Sequence, residues 1–307
     1  MTTIFAALIP VFLIIVLGWL IKQRGLFDDG FWETAERLTF YILFPSLLIV
    51  KIGGAEISGA GAAPLFGVLF TLSAGVALFV MALRPRLSME GPAFTAMLQG
   101  MIRCNTYVGL AAGLALYGEA GLTLTAVAVL AVIPLVNAIA VFAHLRWTGD
   151  EQTDRSGRAI VKATSRNPIV VACLIGALLN LSGAGLPALV GESLDILGRA
   201  ALPLGLLAVG AGLNLKALRI SGGPVAAAVA IKLAIMPFLA VIVCGLFGVS
   251  GIALSVAVLF AALPVSTSSY VMSRQMGGDG EMMSAIIALS TLAALFTMPL
   301  AIWSLTP

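Results

Sequence analysis

The chain has 307 residues, 60% of them hydrophobic and only 10% charged, and its mean hydropathy is +1.10. That balance excludes a soluble globular domain, and a net charge of +3 gives no support to nucleic-acid binding. Apolar runs reach almost from end to end, as in a polytopic membrane protein.

Runs of about twenty apolar residues, enough to cross a bilayer as a helix, predict ten spans. They lie at 4–22, 32–52, 62–83, 92–117, 121–144, 168–190, 195–215, 222–247, 251–273 and 283–304. No basic stretch precedes the first run and further spans follow at once, so it is read as retained rather than cleaved. Short connections carry turn chemistry at Arg24-Gly25, Gly53-Gly54, Gly118, Ser182-Gly183, Ser221-Gly222-Gly223 and Gly277-Gly278. The one extended polar segment, 146–167, is too short for a domain and reads as a linker between residues 1–145 and 168–307. Cys104, Cys173 and Cys244 each fall inside an apolar run without ligand spacing, so no disulfide framework and no metal site is expected.

Twelve of the 17 lysines and arginines sit in odd-numbered loops, among them Lys22, Arg84, Arg155, Arg158, Lys216 and Arg274. The positive-inside rule then makes those loops cytoplasmic and puts both termini outside. The halves also echo each other. Pro10 and Gly18 recur as Pro168 and Gly176, and Pro45 as Pro203, each 158 residues later. Pro64 matches Pro224, and Pro134 matches Pro299. The acid–base pairs Glu33–Arg37 and Asp195–Arg199 open corresponding spans at helical spacing. A repeat of five spans, an odd number, must be inverted in the membrane, the arrangement that secondary transporters use for alternating access. The predicted fold is therefore all-α, ten transmembrane helices in two inverted repeats.

Two spans carry what lipid does not tolerate. In the fourth, Arg103, Asn105, Thr106 and Tyr107 follow one another, and polar residues at that depth must be buried in protein or face water. In the ninth, Pro264 removes a backbone donor, and Ser266, Thr267, Ser268 and Ser269 can re-satisfy the freed groups. Both read as interrupted helices. Arg103, Asn105, Thr106, Tyr107, Pro264, Ser266, Thr267 and Ser268 are the candidate substrate-binding residues, with Tyr41, Ser46 and Asn137 as further cavity residues. Every Asp and Glu lies in a loop or near a span end, so Arg103 has no evident carboxylate partner, and an anionic substrate would supply one. Lys232 is also inside a span and is expected to snorkel to an interface along its stem. The coupling ion, H+ or Na+, stays open: no acid stands mid-span, and Glu33, Glu36 and Glu119 read as helix-end charges.

The run Arg103-Cys-Asn-Thr-Tyr-Val-Gly109, followed by Leu116-Tyr-Gly118, resembles the fourth helix of the auxin efflux carrier family, which includes bacterial permeases and plant PIN-type carriers. Ala262-Leu-Pro264 with its serine run and Gly277-Gly-Asp279 is similar to that family's ninth helix, and Asn167-Pro168 and Gly210-Ala-Gly-Leu-Asn214 fit as well. The resemblance implies a fold like the bile-acid–sodium symporters. Helices one, two, six and seven would form a scaffold, often dimeric, and the other six a moving transport domain whose fourth and ninth helices cross at their breaks. It matches Asn105 to the family's crossover asparagine and Pro264 to its ninth-helix proline. Cys104, where plant members often have proline, and the lack of their long central loop count against auxin itself, while the resemblance to bacterial relatives implies small carboxylates such as malonate or malate, which suits Arg103.

The expected function is thus a secondary transporter in a bacterial inner membrane, a homodimer in the lipid bilayer. Its substrate would be a small organic anion, a malonate- or malate-like carboxylate or an auxin-like acid. A channel or a sensor on the same fold remains the alternative. No enzyme and no cofactor are expected, since the sole histidine, His144, has no metal-spaced partner and no nucleophile motif occurs.

Overall fold

The computed structural model describes residues 1–54, 61–148, 165–220 and 222–306, and every regular element among them is a helix. Most of the expected linker, 149–164, and Ser221 of one expected turn lie outside the described residues. Helix α1 is Thr2–Gln23. Helices α2 (Asp29–Leu38) and α3 (Phe44–Gly53) are joined without a gap by a π-helical turn, Thr39–Leu43. Then come α4 (Ala62–Leu83), α5 (Gly91–Ile102) and the long α6 (Thr106–Trp147). After the linker follow α7 (Pro168–Ser182) and α8 (Ala188–Ala211). A second π turn, Ile231–Ile235, joins α9 (Gly223–Ala230) to α10 (Met236–Phe247). The chain closes with α11 (Gly251–Ala261), α12 (Ser268–Gln275) and α13 (Gly280–Leu305).

Six helical stretches among the described residues are long and apolar enough to cross a membrane: Thr2–Gln23, Ala62–Arg86, Gly91–Trp147, Ala188–Ala211, Gly223–Phe247 and Gly280–Leu305. Two shorter apolar helices, Pro168–Ser182 and Gly251–Ala261, join them. The chain is a polytopic helical membrane protein. One boundary differs from the sequence expectation. The sixth and seventh runs, expected at 168–190 and 195–215, are observed as Pro168–Ser182 and Ala188–Ala211. Gly183 and Gly185, at φ of 65° and 64°, turn the chain early, and Pro187 caps the next helix, so the apolar Leu189 and Val190 open α8 instead of closing α7.

Both π turns end two residues before a proline, Pro45 and Pro237. A proline within a helix removes one hydrogen bond and crowds the carbonyl four residues back, and a widened turn relieves both. The interior runs through α5, α6, α11 and α13, where Phe94, Leu98, Leu110, Leu259 and Ile286 are fully enclosed. Helix α1 packs on α8, α3 on both α7 and α8, and α4 on α6 and α10. Outward faces are apolar, with Leu13, Leu178, Ile196 and Leu246 all exposed, as a hydrocarbon environment permits. The α1–α8 contact is a close backbone crossing. A Cβ at Gly18 would lie 2.1 Å from the Leu207 carbonyl oxygen, and one at Gly210 would lie 1.8 Å from that of Ile15. Small residues at such crossings give the tight packing that holds helices together in lipid.

Of the two acid–base pairs expected at span starts, Asp195–Arg199 forms at 2.7 Å. Glu33–Arg37 does not form among the described residues. An exposed pair of long side chains gains little from closing, so sequence spacing alone does not secure it.

Helix α6 is bent back on itself at Gly118, whose φ of 61° and ψ of −151° no L-residue adopts readily. Gly118→Ala should therefore lower stability by about 1–3 kcal/mol. Gly75→Ala, at an ordinary helical position with open space around it, should be neutral or stabilising by about 0.5–1 kcal/mol. Thermal unfolding of both variants in detergent checks the contrast.

Candidate functional site

The two interrupted helices meet. Helix α5 ends at Ile102, and Arg103 takes an extended conformation (φ −83°, ψ 147°). Asn105, also extended, caps α6 by accepting from Val108 N–H at 3.3 Å. In the partner stretch, helix geometry stops after Ala261 and resumes at Ser268. The breaks are tied by the Asn105 N–H, which donates to the Pro264 carbonyl at 2.8 Å. The Val265 N–H donates to Ser290 Oγ of α13 at 3.1 Å. Backbone groups that each helix abandons at its break are thus satisfied from elsewhere in the chain.

Beside this crossing Arg103 is buried, 8% exposed. Its Nη1 donates to Gln99 Oε1 and to Met272 Sδ, each at 3.1 Å, and its Nη2 to Ser268 Oγ at 3.1 Å. Ser268 Oγ in turn shares a 2.9 Å hydrogen bond with Ser266 Oγ, and Gln99 Nε2 donates to Ser273 Oγ at 3.0 Å. Every one of these partners is neutral. The ion pairs found among the described residues are Lys22–Asp29, Lys51–Glu119, Lys51–Asp195 and Arg199–Asp195, none of them at the crossing. Arg103 is a buried cation in a cage of dipoles.

The sequence-predicted residues differ in what they meet. Arg103, Asn105, Thr106, Pro264, Ser266, Thr267 and Ser268 belong to the two breaks or the first turns beyond them. Tyr107 turns toward neighbouring helices: its ring meets Phe44 edge-on at 4.8 Å and covers Gly205, where a Cβ would lie 2.6 Å from the ring. Tyr41 sits in the first π turn and is 59% exposed. Ser46 is buried, its hydroxyl donating to Ile42 O within its own helix at 2.8 Å. Asn137 is buried on α6, and its Oδ1 has no partner among the described residues.

Lys232 departs from the sequence expectation of snorkelling. It is 1% exposed and faces a small internal cavity that Ser73, Ile102 and Cys104 also line. It lies in the second π turn, where Leu233 beside it is buried as well. Gln99, Met272, Ser273 and Ser290 are not among the candidate residues that the sequence offers. Gln99 had a usable signal, lying one helical turn before Arg103. Ser273 and Ser290 had none, since their partners are distant in sequence and only packing brings them near.

A family model described as membrane transport protein matches residues 3–302. A protein from Methanothermobacter thermautotrophicus, described as an uncharacterized transporter, is 25% identical over 300 residues, covering 96% of each chain.

Removing the Ser290 hydroxyl strands the Val265 N–H in the core. Ser290→Ala should cost about 1–3 kcal/mol. Ser304→Ala, at an exposed hydroxyl bonded within its own helix, should change stability by less than about 0.5 kcal/mol. Chemical or thermal unfolding in detergent distinguishes the two.

Proposed function

The chain belongs to the membrane transport protein family, the auxin efflux carriers, and on that premise we propose that it is a secondary transporter of a small organic anion. The substrate class would be a malonate- or malate-like carboxylate or an auxin-like acid. The observation that carries the reading is Arg103, buried with only neutral partners. A buried charge without a counter-charge is costly, and a carboxylate arriving at the crossing would neutralise it. Ser268, which accepts from the guanidinium, and Ser266, bonded to Ser268, would exchange their hydrogen bonds to the incoming acid.

The breaks add positive potential of their own. Helix α6 begins beside Arg103, so the first-turn N–H groups that Asn105 does not cap and the helix dipole favour an anion there. Asn105 would hold the substrate by its side-chain amide while its main chain keeps the two breaks joined. Thr106 and Thr267 would add hydroxyls. Alternating access would come from rigid movement of the crossed helices with α4, α6, α9, α10 and α13 against α1–α3, α7 and α8. The equivalence of Gly18 and Gly176 supports two inverted repeats. Each seats its helix against the other repeat, Gly18 on Leu207 and Gly176 on Ile52. The protein would sit in a bacterial inner membrane as a homodimer, both termini outside, with H+ or Na+ as the coupling ion.

Counterflow of labelled malonate, malate and indole-3-acetate into proteoliposomes tests this. The wild type should show saturable exchange of one acid, and Arg103→Gln should lower it at least ten-fold. Asn105→Asp keeps the helix cap and places a negative charge where the anion binds, so exchange should be lost while the melting temperature is kept. Exchange that survives both changes removes the crossing as the site, and flux without saturation or counterflow indicates a channel.

A further inference from the structure

The proposed transport reaction leaves one buried charge unused. Lys232 lies in the π turn Ile231–Ile235, and its 1% exposure places it as deep as the apolar core. Across from it, Ser73 of α4 is 3% exposed. The two residues line a cavity with Cys104, the residue between Arg103 and Asn105, and the rest of the wall is apolar, including Leu72, Val132 and Phe260.

Neither Lys232 nor Ser73 has a hydrogen-bond or ion-pair partner among the described residues. For Ser73 that departs from local habit. Thr39, Ser46, Thr125 and Thr291 each donate to the carbonyl four residues back in their own helices. An ammonium has three donors and no acceptor, and burying one without a counter-charge is costly. No aspartate or glutamate lines the cavity. A positive charge, a free hydroxyl and a thiol around a small apolar-walled space make an anion-binding environment. The space admits about one water-sized particle, too little for a carboxylic acid.

We propose that this cavity binds a single monovalent inorganic anion of chloride size, held by Lys232 Nζ and Ser73 Oγ. The site shares its Cys104 wall with the first break, but its two donors, Lys232 and Ser73, lie outside both breaks, and it does not rest on the organic-anion reading. Its consequence for transport is mechanical. Cys104 is covalently part of the extended stretch that carries Arg103 and Asn105, so occupancy behind it favours one arrangement of the break.

The test is thermal unfolding of the full-length protein in detergent, in sodium chloride against sodium gluconate at equal ionic strength. Wild type should gain a few degrees in a saturable, chloride-dependent manner, as a ligand specific to the folded state does, and bromide should replace chloride. Lys232→Met should abolish the response and Ser73→Ala should weaken it several-fold. Arg103→Gln should retain it. Should Lys232→Met fail to fold, the Ser73→Ala shift and binding of radiolabelled chloride to the wild type in equilibrium dialysis decide. Equal melting in the two salts, or a full chloride response in Ser73→Ala or Lys232→Met, overturns the proposal and leaves a water in the cavity. A response lost in Arg103→Gln but kept in Lys232→Met also overturns it, placing the anion at the crossing.

Discussion

The hydrogen bond from the Asn105 N–H to the Pro264 carbonyl holds the centre of this protein together. Inside a membrane no water is at hand for a backbone that leaves helical geometry, so an interrupted helix survives only where another part of the chain completes its hydrogen bonds. Two interruptions facing each other solve the problem jointly, each offering the other an unpaired group. Ser290 supplies what remains on the Pro264 side. The cost of opening two helices is thereby contained, and polar main chain stands in the protein interior beside Arg103.

The charged residues show what that interior demands. At the periphery Lys51 bridges the exposed Glu119 and the half-buried Asp195, an arrangement in which acids balance an amine at modest energetic value. Nearer the centre compensation changes kind. Arg103 is surrounded by amide, hydroxyl and thioether groups, which solvate a guanidinium without neutralising it. Its planar fork suits this, since several weak acceptors can be engaged at once and a bidentate carboxylate can still be accommodated. Lys232, a compact and strongly hydrated ammonium, has no such cage among the described residues. Arg103 precedes Cys104 in the chain and Lys232 lines a cavity with it, and among the described residues no acidic side chain pairs with either cation.

Packing around the crossing follows from residue size. Gly18 and Gly210 let α1 and α8 touch backbone to backbone, and Gly205 lets the Tyr107 ring pack against α8. The π turns before Pro45 and Pro237 absorb the two prolines without breaking their helices. Flexibility is not needed to explain any of these bends. Each has a glycine, a proline or a proline-induced widening at its origin.

The sequence by itself determined the membrane character, the places of the two interruptions and the family, because these depend on composition, proline position and short contiguous motifs. Arg103, Asn105 and Pro264 were legible for that reason: a charge, an amide and a missing donor are conspicuous within apolar runs. Helix ends were less so, as α7 shows, since an apolar residue reads the same on either side of a turn. Tertiary structure alone decided what each polar group meets. Gln99 with Ser273, Val265 with Ser290 and Lys232 with Ser73 are separated by 174, 25 and 159 residues. Only the packed fold brings such groups to within hydrogen-bonding reach or around one cavity. Whether Lys232 reached an interface or turned into the core was likewise decided by packing, which sets it in the widened turn before Pro237 and around one cavity with Ser73 and Cys104, and no periodicity in the sequence records that.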